Sequence, residues 1–110
     1  MSKKQSIWSE ERHLVEGLKS QNREAYDWLY TQYSGALYAL IRRLITDEEI
    51  ANDALQDCFI KIWKQIEQYD STKGKLYTWM FNLCRNHCID VIRSKNFKNQ
   101  KENQRLEEVS

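Results

Sequence analysis

Cationic, aromatic and amide side chains alternate along one stretch in the second half of the sequence. Lysine and arginine neutralise phosphates, and an aromatic face can stack on an unpaired base for about 1 to 3 kcal/mol. An asparagine amide both donates and accepts hydrogen bonds, so it can read a base edge. The combination predicts binding to single-stranded DNA, and a solvated basic face is the alternative. The candidates are Lys73, Lys75, Tyr77, Trp79, Asn82, Arg85, Asn86 and Arg93.

Metal binding is the second chemistry that the spacing allows. Cys84, His87 and Cys88 stand at i, i+3 and i+4, and Cys58 or His13 could complete a tetrahedral zinc site. The same positions belong to an apolar helical stripe, where buried thiols are common. We therefore expect reduced core cysteines and no metal site.

Catalysis is the chemistry that the sequence supports least. Neither His13 nor His87 has a plausible catalytic neighbour in the sequence, and no glycine-rich phosphate loop is present. We expect neither an enzyme nor a cofactor.

Composition limits the elements that must hold these residues. A chain of 110 residues fits one domain, and it contains no proline and only three glycines, too few turn residues for a sheet. Apolar residues make up 41% and charged residues 30%, and no apolar run is long enough to span a membrane. The sequence predicts an all-α domain in the cytoplasm.

The charge is unevenly distributed, although the net charge is only +1. Residues 73–101 contain seven Lys and Arg against one acidic residue, whereas residues 1–72 contain nine against twelve. A basic block of this kind is typical of a polyanion-binding surface.

Polar interruptions divide the chain into helices. We expect a first helix capped by Ser9, a second capped by Asn22 with a bend near Gly35, and a third opened by a capping box of Thr46 and Glu49. A loop at 68–75 then precedes a helix at 76–94. The predicted organisation is an N-terminal helix and tail at 1–20, a helical domain at 21–95, and a polar linker or tail at 96–110.

The third helix has two distinct faces. Its buried face repeats apolar pairs every four residues, the strongest periodic pattern in the chain. Its outer face places an isoleucine among polar side chains, which is ordinary for a surface but could also centre a docking patch. The outer residues are Asp53, Gln56, Asp57, Ile60, Lys61 and Lys64.

Several segments, which follow one another in the same order and at the same spacing as in the family, resemble region 2 of bacterial extracytoplasmic-function (ECF) sigma factors. They are the run at 53–63, Tyr69-Asp70, Lys73-Gly74, the run at 77–80 and the run at 85–93, within roughly residues 20–97. The resemblance implies a compact bundle of three to four helices. It departs from the full family pattern because these 110 residues contain no helix-turn-helix domain for the minus-thirty-five element. We therefore expect an isolated domain or a fragment of a longer chain.

The resemblance also implies a division of roles. The outer face of the third helix would dock on the clamp helices of the beta-prime subunit of core RNA polymerase. The loop would hold a base flipped out of the minus-ten element, and Asn86 matches a position that contacts the non-template strand. This adds Asp70, Ser71, Thr72 and Gly74 to the DNA-binding candidates.

Two functional hypotheses follow from these patterns. The first is a sigma factor domain that binds core RNA polymerase and recognises and melts the minus-ten element in transcription initiation. An anti-sigma factor is a further expected partner, since such inhibitors commonly cover these surfaces in the family. The second is a helical protein-interaction adaptor without DNA binding. Trp79 has two interpretations as well, as a base contact or as a core residue.

Overall fold

The computed structural model describes the backbone of residues 7–109 and the side chains of residues 7–95. The chain forms α1 (Glu11–Lys19), α2 (Arg23–Leu44), α3 (Glu48–Gln65) and α4 (Leu76–Val109), with short 3-10 turns at Ile7–Ser9 and Ile66–Gln68. Residues 7–109 contain no strand, so the all-α prediction is confirmed. The four α-helices agree with the expected bundle of three to four.

The turn between α1 and α2 contains the helix cap that the sequence predicts. Gln21 adopts a φ of 61°, which reverses the chain after Ser20. The Asn22 side chain then accepts hydrogen bonds from the backbone amides of Glu24 at 2.8 Å and Ala25 at 3.4 Å. The predicted cap of the second helix is therefore confirmed, because the side-chain oxygen satisfies amides that have no partner within the helix.

Two other predicted caps are wrong by one residue. Ser9 ends a 3-10 turn, and Glu10 occupies the N-cap of α1 without a side-chain cap bond. At α3 the cap is Asp47, whose Oδ1 accepts from the Ile50 amide at 3.1 Å, so Thr46 stands outside the helix. An Asp47 carboxylate adds a negative charge at the positive end of the helix dipole, which a threonine hydroxyl cannot supply.

Helices α2 and α4 are continuous through Gly35 and Ser94 respectively. The helix α2 runs through Gly35 as one unbroken α-helix. The backbone of α4 continues past Ser94 to Val109, where we expected a polar linker. Polar residues with good helix propensity extend an existing helix at little cost, because nucleation has already been achieved.

The core lies where α2, α3 and α4 meet. Its largest fully buried side chains include Leu29 and Leu37 from α2, Phe59 from α3 and Met80 from α4. Within residues 7–95 no polar or charged residue is fully buried. No helix within the described part of the chain is long and apolar enough to cross a membrane.

The short helix α1 packs closely on the start of α2. An added Cβ at Gly17 would lie 2.7 Å from the Trp8 ring and 2.9 Å from the Ala25 side chain. Glycine therefore permits the contact, and Leu14 and Leu18 bury the rest of this helix face. The contact brings α1 to the end of the bundle where the loop at 69–75 lies.

Candidate nucleic-acid interface

The loop that joins the turn at Ile66–Gln68 to α4 is folded by its own hydrogen bonds. Asp70 Oδ1 accepts from the Thr72 amide at 2.9 Å and from the Thr72 hydroxyl at 2.7 Å. These two bonds lower the pKa of the Asp70 carboxyl below its usual value. The Tyr69 hydroxyl crosses the loop and donates to the Gly74 carbonyl at 2.6 Å. These three hydrogen bonds within the loop hold its backbone in a defined conformation.

A cavity of about 210 Å³ opens between this loop and the first turns of α4. Trp79 forms one wall, with its ring centroid 5.7 Å from that of the buried Tyr69. The cavity is smaller than the roughly 300 to 1,000 Å³ typical of drug-sized ligands, and an aromatic wall with polar neighbours suits one flat ring. The lining residues are Gln68, Tyr69, Asp70, Lys73, Gly74, Lys75, Thr78, Trp79 and Asn82.

A second groove of about 320 Å³ runs between α3 and α4 and shares Trp79 and Asn82 with the cavity. Amides from both helices point into it, including Gln65 and Asn86. The other lining residues are Lys61, Leu83, His87 and Asp90.

Five predicted DNA-binding residues lie outside both depressions. Ser71 and Thr72 are exposed on the loop and do not line the cavity. Tyr77 lies on the α2 side of α4, where its ring packs 5.6 Å from that of Tyr33. Arg85 is exposed about two helical turns beyond Tyr77 and lines neither depression.

Arg93 is also exposed, and it lies further along α4 than the groove extends. The structure therefore gathers the loop cations, Trp79 and the asparagines at the cavity and groove, and it separates Tyr77, Arg85 and Arg93 from them.

The outer face of α3 presents the second predicted set together. Ile60 keeps 48% of its surface exposed at the centre of this face. Gln56 borders α2, where its side chain donates to the Tyr30 hydroxyl at 3.3 Å. Lys61 is half-buried and belongs also to the groove. Asp53, Asp57 and Lys64 are exposed beside Ile60.

His87 connects the groove with the outer face of α3. Its side chain is 11% exposed, and its Nε2 lies 3.7 Å from Asp57 Oδ2. Both ring nitrogens are shielded from solvent without a hydrogen-bond partner. Burial, followed by the charge of Lys61, lowers the pKa of His87, while Asp57 and Asp90 partly offset the effect. His87 is therefore neutral at pH 7 and lies between the groove and the outer face of α3.

The three cysteines lie in the core between α3 and α4. Cys58 Sγ donates to Cys84 Sγ at 3.1 Å, and this bond raises the pKa of Cys58 and lowers that of Cys84. Burial raises the pKa of Cys88 to about 12. Among the described residues, no group of three or more Cys, His, Asp or Glu is arranged to hold a metal ion.

The cavity is lined by Gln68 and Tyr69, which belong to the loop predicted to hold the base, and by Thr78, which the prediction missed. Tyr69 and Gln68 precede Asp70 directly, and Thr78 stands one helical turn before Asn82. Helical spacing from Asn82 could have identified Thr78. The burial of Tyr69 depends on its packing against Trp79, which no local pattern reveals.

Comparison with known proteins gives the family. A model described as Sigma-70 region 2 matches residues 29–98, which is more than half of the chain. The chain belongs to the sigma-70 region 2 family. The predicted resemblance is thereby confirmed. The match begins within α2, so α1 and the turn after it precede the matched residues.

Relatives of this region 2 domain are ECF sigma factors. ECF RNA polymerase sigma factor SigK of Mycobacterium ulcerans is 22% identical over 89 residues, covering 81% of this chain and 48% of that protein. SigK of Mycolicibacterium vanbaalenii is 26% identical over 82 residues, covering 74% and 42% respectively. The chain thus spans about half the length of the curated relatives it matches.

The fold of the domain has a counterpart among solved structures. An engineered region 2 of sigmaE, determined by NMR in complex with GTAAAA, superposes with a TM-score of 0.73 at 20% sequence identity. The match covers 89% of this chain and 97% of that chain. It establishes that the two chains share the fold.

Proposed function

We propose that this region 2 domain takes part in transcription initiation by binding the melted non-template strand of a minus-ten promoter element. The observation that carries the proposal is the cavity beside Trp79, because it combines an aromatic wall, the Asn82 amide and the cations Lys73 and Lys75. The related fold of sigmaE region 2 was determined in complex with GTAAAA, which supports the same class of ligand.

The energetics of the cavity fit capture of a flipped base. Extruding a base from a duplex costs a few kcal/mol. Stacking against an aromatic ring returns about 1 to 3 kcal/mol, and the Trp79 ring is half-buried and held by Tyr69. Phosphate contacts from Lys73 and Lys75 and a base-edge contact from Asn82 then stabilise the open strand. Capture of the single strand would shift the promoter towards its melted form.

We propose further that the outer face of α3 docks on the beta-prime clamp helices of core RNA polymerase. Ile60 supplies an exposed apolar centre, and Asp53, Gln56, Asp57 and Lys64 form a polar rim. A rim of charge around an apolar anchor is the usual arrangement of a protein interface. An anti-sigma factor that covered this face or the cavity would block one of the two activities.

The DNA proposal is tested by fluorescence anisotropy with a library of labelled non-template minus-ten oligonucleotides at several salt concentrations. We expect a preference for one short motif. The slope of the logarithm of the binding constant against the logarithm of the salt concentration should also change. In the double variant Lys73→Gln and Lys75→Gln we expect it to become shallower by about 0.7 for each lysine removed. The matched control is the double variant Arg42→Gln and Arg43→Gln, which removes the same charge from the exposed last turn of α2.

This control is informative because Arg42 and Arg43 lie at the opposite end of α2 from the cavity, about 30 Å along the helix. Equal slopes for the two double variants would show that the lysines act only through net charge. Absence of oligonucleotide binding by the unmodified chain, together with saturable binding to a protein partner, would favour the adaptor hypothesis.

A further inference from the structure

The helix α1 makes two long-range hydrogen bonds to the two ends of the cavity loop. Lys19 Nζ donates to the Tyr69 carbonyl at 2.7 Å, where the loop begins. Glu11 Oε2 accepts from the Leu76 amide at 3.1 Å, where the loop ends and α4 starts. The donors and acceptors are 50 and 65 residues apart in the chain, and both α1 residues lie outside the match at 29–98.

Glu11 supplies a cap that the local sequence of α4 lacks. The residue before this helix is Lys75, whose carbonyl accepts the Trp79 amide at 3.2 Å. A lysine side chain has no acceptor atom, so it cannot bond the free amides of the first turn. The Glu11 carboxylate does so from another helix, and its negative charge also complements the positive end of the α4 dipole.

Lys19 fixes the opposite end through Tyr69. The Lys19 ammonium bonds the Tyr69 carbonyl and lies 6.0 Å from the centre of the Tyr69 ring. Tyr69 is 3% exposed, and it is the residue that contacts Trp79 and donates across the loop to Gly74. Burial and then the nearby Glu11 charge raise the pKa of the Tyr69 hydroxyl above its ordinary value of 10.0.

We propose that Glu11 and Lys19 are positioning residues that hold the loop at 69–75 in the shape that receives a flipped base. The inference rests on the proposed DNA-binding function and extends it to a helix that precedes the matched residues 29–98. A loop ordered before binding does not lose conformational entropy when the base enters, so the two bonds increase affinity for the inserted base specifically. Neither bond involves Lys73 or Lys75, to which the proposed function assigns the phosphate contacts.

The test compares two oligonucleotides that differ only at the flipped position, one with its base and one with an abasic site. For Lys19→Met and Glu11→Ala we expect affinity for the complete oligonucleotide to fall about tenfold, the effect of losing one hydrogen bond to a charged group. Affinity for the abasic oligonucleotide should stay within about twofold, because phosphate contacts are unchanged. Lys19→Arg and Glu11→Gln should restore discrimination, since each keeps a donor or acceptor.

The control variants are Arg12→Met and Glu16→Ala, which remove charges from exposed positions of the same helix. Amide hydrogen exchange at Leu76 provides a readout without DNA, and exchange should accelerate in Glu11→Ala but not in Glu16→Ala.

The outcomes separate the inference from the function on which it rests. An unmodified chain that does not distinguish the base from the abasic site would refute the proposed cavity function itself. An unmodified chain that discriminates, with Lys19→Met and Glu11→Ala discriminating equally well, would refute the positioning role alone. A parallel loss of affinity for both oligonucleotides, with a lower melting temperature, would assign α1 a purely structural role and also overturn the inference.

Discussion

Gly74 allows the cavity loop to adopt a backbone conformation that other residues rarely take. Its φ of 155° lies in a region that residues with a side chain rarely adopt. Gly74→Ala should lower the free energy of unfolding by about 1 to 3 kcal/mol and weaken binding of the oligonucleotide that carries the flipped base. Urea unfolding and anisotropy titration measure the two effects.

Gly35 offers a matched control for that substitution. It is exposed within α2, and an added Cβ would meet no atom within 4 Å. Gly35→Ala should raise the free energy of unfolding by about 0.5 to 1 kcal/mol, because alanine loses less entropy in a helix. Equal destabilisation by both substitutions would contradict the special role of Gly74.

His87 should make stability depend on pH. Its folded-state pKa is below the ordinary value of 6.5, so the unfolded chain binds more protons between 6.5 and the folded pKa. The contribution of neutral His87 is complete above pH 6.5 and is lost as the pH falls through this window. We expect the free energy of unfolding to change less between pH 7.5 and about 5.5 in His87→Leu than in the unmodified chain.

The neighbours of His87 provide a second variant for the same measurement. Asp57 raises the pKa of His87, against the larger effects of burial and Lys61. Asp57→Asn should therefore lower this pKa further and make the loss of stability on acidification steeper. Identical slopes in all three proteins would exclude His87 as their source.

At the scale of the element, two neighbouring residues at the start of α3 should contribute differently to stability. Asp47 makes the cap bond to Ile50, whereas Thr46 is exposed before the helix. Asp47→Ala should lower the free energy of unfolding by about 1 kcal/mol, and Thr46→Ala should change it by less than about 0.5 kcal/mol. Denaturant unfolding measures both, and the reverse order would restore the capping box predicted from the sequence.

At the scale of the whole molecule, two binding surfaces meet along α3 and α4. Ile60→Ala should weaken binding to core RNA polymerase about tenfold, as expected for an interface anchor, and leave oligonucleotide binding unchanged. Asn86→Ala, within the groove, should weaken oligonucleotide binding and leave binding to core RNA polymerase unchanged. Titrations with labelled domain and with labelled oligonucleotide measure each variant, and a loss of both activities in each would contradict separate surfaces.

The separation of the two surfaces is incomplete at two places. Lys61 belongs both to the outer face of α3 and to the groove, and Asp57 lies 3.7 Å from His87. Substitution of either residue would disturb the groove together with the α3 face. Ile60 is the better probe, since its side chain is exposed and does not line the groove.

The sequence by itself determined the helical class, the buried stripe of α3 and the family. Each of these depends on local spacing: a helix buries residues three and four apart, and the motifs of the family occur in order along one chain. The Asn22 cap was also predictable, because its partners lie two and three residues ahead. The predicted DNA-binding and polymerase-binding residues remain proposals.

Only the tertiary structure decided what surrounds the cavity and which predicted residues share it. The bonds from Glu11 and Lys19 join positions 65 and 50 residues apart, and no periodicity encodes such contacts. Helical spacing alone puts Tyr77 and Asn86 on opposite sides of α4, but the contact of Tyr77 with Tyr33 depended on how α2 and α4 pack. Local pattern gives each residue a face on its own helix, and only the packing of helices determines what that face contacts.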